Sequence, residues 1–196
     1  MKNSILIYFL IFSSFVSAQR FDILSGDLKN LKDISEYNVT FDYSNLEVNG
    51  FDSEEAYLKD KMAKRDHIEG KAEKFKENWY SDRENKYEPK FIDYFNNKFE
   101  EKGVKIAKNI ITKYTMNVKT TWIYPGYVLG KVEPAKLSAI ITVFEAGDPK
   151  NILVKIEFEK LIGLAYELNS DQGYRIAGAY EKLAKNFTIQ LKRIKN

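Results

Sequence analysis

Val39, Phe41 and Tyr43 alternate with Thr40, Asp42 and Ser44, the two-residue period of a half-buried strand that ends in Ser44-Asn45 turn chemistry. The pattern then changes. Asp52 and Glu55 have the spacing of a helix N-cap and its reciprocal partner, and Leu58, Met62, Ile68, Ala72, Phe75 and Trp79 follow at mostly helical steps on a charged rod. Gly70 stands where it can divide that helix in two. Pro89 marks the start of a further helix, in which Phe91, Ile92, Tyr94, Phe95 and Phe99 form an inward face up to a stop at Gly103.

Beyond Gly103 the period returns to two. Tyr114, Met116, Val118, Thr120 and Trp122 alternate with Thr115, Asn117, Lys119 and Thr121 as far as the Pro125-Gly126 turn. Leu137, Ala139, Ile141 and Val143 occupy one side of the next run, with Ile140 and Phe144 on the other, so this segment is expected to be a central strand buried on both sides. After Gly147-Asp148-Pro149-Lys150 comes its hairpin mate, carrying Ile152, Val154, Ile156 and Phe158. Ile176, Ala179, Tyr180, Leu183, Phe187 and Leu191 then recur at three and four residues on a terminal helix after Gly173. Strands and helices are segregated rather than alternating. That order predicts an α+β fold, an antiparallel or mixed sheet of about four strands with helices packed on one face.

The first residues stand outside this pattern. Lys2 and Asn3 precede an apolar run from Ile5 to Val16 broken only by Ser13 and Ser14, and Val16-Ser17-Ala18 places small residues where a signal peptidase cuts. Residues 1–18 are therefore expected to be a cleaved signal peptide and residues 19–196 a single domain; the run is too short for a span of about 20 residues, and none is expected in the mature chain. The product is an exported protein, periplasmic or extracellular.

Charge narrows the partners. Lysine and arginine total 31 and acids 28; losing Lys2 with the leader leaves 30 against 28, close to balance. Only five of the basic residues are arginine, so forked phosphate recognition has few candidates and a nucleic-acid role is not expected. The chain has no cysteine. Disulfides and a lipid-anchoring cysteine are both excluded.

One histidine, His67, in the charged segment Lys64–Glu69, gives little support to a Ser-His-Asp triad and excludes zinc sites built from several His or Cys ligands. No phosphate-binding glycine loop, calcium loop or Gly-x-Ser-x-Gly elbow occurs. Asp52, Glu54 and Glu55, and likewise Asp82-Arg83-Glu84, read as solvated helix charges. No cofactor or metal is expected. The segment that stands apart is Trp122-Ile123-Tyr124-Pro125-Gly126-Tyr127-Val128-Leu129-Gly130, because aromatics presented on a turn can stack on a sugar or anchor a protein. Trp122, Tyr124 and Tyr127 are its binding candidates; the plainer alternative is that Trp122 and one tyrosine cap the core. Arg175, opening the last helix, is the other candidate, either assisting the helix amides with an anion or pairing with Asp171.

These segments also carry a likeness. Asn38–Ser44, Glu88-Pro89-Lys90-Phe91 with Phe95-Asn96, Lys119–Gly130 with Pro134-Ala135, and Gly173–Ile176 with Ala179–Lys182 together make the chain resemble a family of uncharacterised secreted proteins of Bacteroidetes-type bacteria. The resemblance covers nearly the whole mature chain and implies an envelope location rather than an activity. The expected function is a non-enzymatic binding domain for an envelope protein or surface component such as a glycan. A carboxylate-dependent glycan hydrolase and a small-molecule carrier are the alternatives.

Overall fold

The computed structural model describes residues 21–128, 133–163 and 171–195; the expected leader and Leu129-Gly130 at the end of the aromatic segment lie outside them. Seven strands form one mixed sheet: β1 (Phe21–Gly26), β2 (Glu36–Asp42), β3 (Glu47–Val48), β4 (Lys105–Ala107), β5 (Tyr114–Tyr124), β6 (Lys136–Glu145) and β7 (Asp148–Ile162). They lie in the order β1-β7-β6-β5-β2-β4, with β3 beside the far end of β5. β5, β6, β7 and β1 pair antiparallel, whereas β2 and β3 run parallel to β5, and β4 parallel to β2. The four expected strands are β2, β5, β6 and β7. The count of about four was too low because β3 and β4 have two and three residues, too few to show an alternation, and the short β1, Phe21–Gly26, is not among the strands expected from the sequence.

In β6 the alternation is plain. Leu137, Ala139, Ile141 and Val143 are inaccessible, while Lys136, Ile140, Thr142 and Phe144 between them are half-buried. β6 is central, as its composition implied, but its second face is partly open.

Four helices follow their sequence signals with two differences. α1 (Glu54–Ala63) is capped by Ser53, whose hydroxyl accepts the Ala56 N–H at 3.1 Å, and not by Asp52 one residue earlier. Gly70, at φ 73°, separates α1 from α2 (Lys71–Asp82). α2 does not stop before α3 (Glu88–Phe99). A single π-helical turn, Arg83–Tyr87, joins them, and the Glu88 N–H reaches back to the Arg83 carbonyl. The cause is visible in the spacing: Trp79, Arg83, Tyr87, Phe91, Phe95 and Phe99 follow at strict steps of four. Such a row outruns a 3.6-residue turn, and one wider turn takes up part of the drift, keeping the row on the core.

α4 (Gln172–Lys195) packs along α3 and against β6 and β7. Its Ile176, Tyr180, Leu183, Phe187 and Leu191 are all at 0% exposure, each burial contributing about 1.5–3 kcal/mol. The ring of Phe187 stacks on Phe95, and Tyr180 on Tyr87 with centroids 5.3 Å apart. Among the described residues, no helix is long and apolar enough to cross a membrane.

Candidate functional site: an aromatic turn clamped by a buried arginine

A bulge sets the aromatic segment. In β5, Thr120 and Ile123 both face the core at 0% and 1% exposure, three residues apart where a regular strand allows only even steps. The register shift between Thr120 and Trp122 accounts for it: the extra residue reverses the phase and turns Trp122 and Tyr124 to the opposite face. Among the described residues of the segment Ile123 and Pro125 are buried, whereas Trp122 and Tyr124 are half-buried and Tyr127 is 40% exposed. The aromatics therefore do not serve as the core's cap.

The turn beyond is fixed from two sides. Tyr127 and Glu133 exchange both backbone hydrogen bonds, at 3.1 and 2.9 Å, and the Tyr124 hydroxyl donates to Glu133 Oε2 at 2.7 Å. Burial, reinforced by the Glu133 carboxylate, pushes the Tyr124 phenol up to about 12. Gly126 sits at φ 67°, and a Cβ there would stand 2.5 Å from the Glu133 carbonyl oxygen, so only glycine fits. From below, Arg175, 6% exposed, donates through Nε to the Pro125 carbonyl and through Nη2 to the Gly126 carbonyl, both at 3.3 Å. Lysine charges lie over the rings: Lys160 Nζ is 5.8 Å from the Trp122 centroid and Lys136 Nζ 5.2 Å from that of Tyr124.

The structure thus joins Tyr124, Tyr127 and Arg175 around one turn, with Trp122 two residues upstream on the sheet. Arg175 holds the turn's backbone. At the start of α4, the Gly173 N–H is taken by Asp171 Oδ1 at 2.7 Å, and Asp171 pairs with Lys86 at 2.8 Å, which also holds Asp82 at 2.9 Å. Burial raises the Asp82 carboxyl, with Lys86 opposing; Asp171 is less enclosed, and hydrogen bonds from Lys86 and the Gly173 amide outweigh its burial and lower it.

A buried polar seam escaped the sequence reading. Glu54, 8% exposed, accepts from the Trp79 indole and the Arg83 guanidinium. Arg83 lies 4.3 Å over the Tyr43 ring, the Tyr43 hydroxyl donates to Glu88 at 3.3 Å, and Lys108 pairs with Glu88. Tyr180 and Thr120 share a hydroxyl hydrogen bond below them. Glu54 and Arg83 looked like solvated helix charges; the available signal was Arg83 in the four-residue row between Trp79 and Tyr87.

Other expected features separate. His67 is exposed in the turn between α1 and α2. A polar cleft of about 370 Å³ is lined by Tyr43, Asn45 and four acids, Glu47, Asp52, Glu54 and Glu55. Glu54 is engaged as above, and hydrogen bonding to its own amide and Ser53 lowers the Glu55 carboxyl. Among the described residues, no group of three or more His, Cys, Asp or Glu is placed to hold a metal ion. No family model, curated protein or solved structure matches the chain.

Proposed function

We propose that the chain is an exported, non-enzymatic binding domain that meets an envelope protein or surface glycan through the sheet face bearing Trp122 and Tyr124 and through the adjoining Tyr127 turn. The phase reversal in β5 carries this reading. It moves two aromatics off the core and onto the face shared with Ile140 and Phe144, opposite the residues packed under α4. The same alternation favours helices on one face only. Half-exposed rings on rigid strands lose little freedom on contact, and buried Arg175 supplies the rigidity of the turn. Periplasmic or extracellular placement rests on the leader.

Trp122→Ala with Tyr127→Ala should weaken recovery of a partner in an affinity pull-down while leaving the circular dichroism melt in place. Unchanged recovery defeats the assignment. The four-acid cleft favours a second reading, glycan hydrolysis, but a hydrolase needs one carboxylic acid kept protonated opposite an ionised one; Glu54 is bound to Arg83 and Glu55 is held low. Glycan cleavage abolished by Asp52→Asn or Glu47→Gln would establish it over the binding reading.

A further inference from the structure

The two edges of the sheet are finished differently. At one end β4 has three residues, and the Asn96 side chain from α3 pairs with it as a strand would: its Oδ1 accepts the Ile106 N–H at 2.9 Å and its Nδ2 donates to the Ile106 carbonyl at 3.0 Å. That edge is sealed. At the other end β1 has six residues, Phe-Asp-Ile-Leu-Ser-Gly, and no strand lies on its outer side among the described residues. Its Ile23 and Leu24 are each 46% exposed. Natural edges are usually blunted by lysine, proline, shortness or a bulge. β1 has neither lysine nor proline, and its one irregularity, after Ile23, leaves Phe21–Ile23 in regular register with β7.

We infer that β1 is an association edge whose occupant is the β1 of a second copy of this chain, paired antiparallel about a two-fold axis. Water satisfies the open row of N–H and C=O groups in the lone chain, and an added extended strand can replace it along the row with main-chain hydrogen bonds. An antiparallel strand edge is complementary to itself, so a two-fold pair needs no further design. The strand's single charge agrees: registers centred on Ile23 or Leu24 place Asp22 opposite Leu24 or Gly26, keeping the two Asp22 carboxylates from facing each other. Six residues a side cover much less than the roughly 1,200 Å² of a stable interface, so the dimer is weak, dissociating in about the micromolar to hundred-micromolar range. This edge is three strands from β5, and its failure would leave the aromatic-face reading standing.

Sedimentation equilibrium of the purified protein up to about 1 mM should show reversible dimerisation, with the dissociation constant raised at least tenfold in Leu24→Lys and unchanged in the α2 surface variant Lys76→Ala. Hydrogen exchange of the native protein provides a second readout that needs no variant: amides in residues 21–26 should gain protection as concentration rises. A protein that stays monomeric throughout, with exchange in β1 independent of concentration, overturns the inference. So does a dimer that Leu24→Lys leaves intact while those amides stay unprotected, or protection of β1 that appears only when an unrelated extended peptide is added.

Discussion

Tyr87 and Tyr180 stack face to face at the centre of the helix layer, both essentially inaccessible, yet removing their hydroxyls should have opposite effects. The Tyr180 hydroxyl bonds Thr120, itself at 0% exposure, so Tyr180→Phe strands a buried hydroxyl and should cost about 1–3 kcal/mol. The Tyr87 hydroxyl is buried with no hydrogen-bond partner among the described residues. Its burial already carries a desolvation cost, and Tyr87→Phe removes the group at constant ring volume; the variant should be neutral or gain up to about 2 kcal/mol. Urea unfolding of the wild type and both variants, read with matched slopes, measures the difference directly. A loss in Tyr87→Phe equal to that in Tyr180→Phe would refute the partner accounting, because two isosteric changes in one stack would then differ in nothing that hydrogen bonding explains.

Other positions give independent checks. Gly126→Ala forces a left-handed residue and sets a Cβ 2.5 Å from the Glu133 carbonyl oxygen; the left-handed conformation alone costs about 1–2 kcal/mol, and quenching of Trp122 and Tyr127 fluorescence by iodide should report a displaced turn. Arg175→Met leaves the Pro125 and Gly126 carbonyls without its guanidinium and should cost about 2–4 kcal/mol in a thermal or urea melt, with proteolysis appearing first within 124–135. The two aspartates around Lys86 should respond oppositely to pH. Asp82 has its folded pKa raised above 3.8 by burial, so its stabilising contribution grows as pH falls through that raised value; Asp171 is lowered by Lys86 and the Gly173 amide, so its contribution is present above 3.8 and lost as pH falls through the lowered value. The stability gap between wild type and Asp82→Asn should therefore move in wild type's favour on acidification and that for Asp171→Asn against it; parallel curves would contradict the assignment.

The sequence made much of this fold legible where one residue decides a local outcome. Gly70 broke a helix because it sits at positive φ, and Pro125-Gly126 ended β5 because Gly126 does. The alternations of β2, β5, β6 and β7 were strong because each strand has one buried face. Parallel pairing of β2 with β5 was not legible, since alternation is blind to strand direction. The bulge after Thr120 was also hidden: Trp122 continued the polar-apolar rhythm in letters while the backbone reversed it. The pairing of Asn96 with Ile106 had no signal in the sequence, because its strand-like role depends on β4 lying beside α3. Glu54 and Asp82 read as solvated charges and nothing marked Glu88 as buried; their partners Arg83, Lys86 and Lys108, brought together by the π-turn and the α3–β4 connection, help account for their burial.

The central claim concerns the aromatic face, and a photo-crosslinking side chain placed at Tyr127, with a control at exposed Lys76 on α2, tests it in cells that express the protein. A single reproducible adduct formed from position 127 and not from 76, and lost when Trp122→Ala is added, is the predicted result. No adduct from 127, or the same adducts from both positions, would contradict the account.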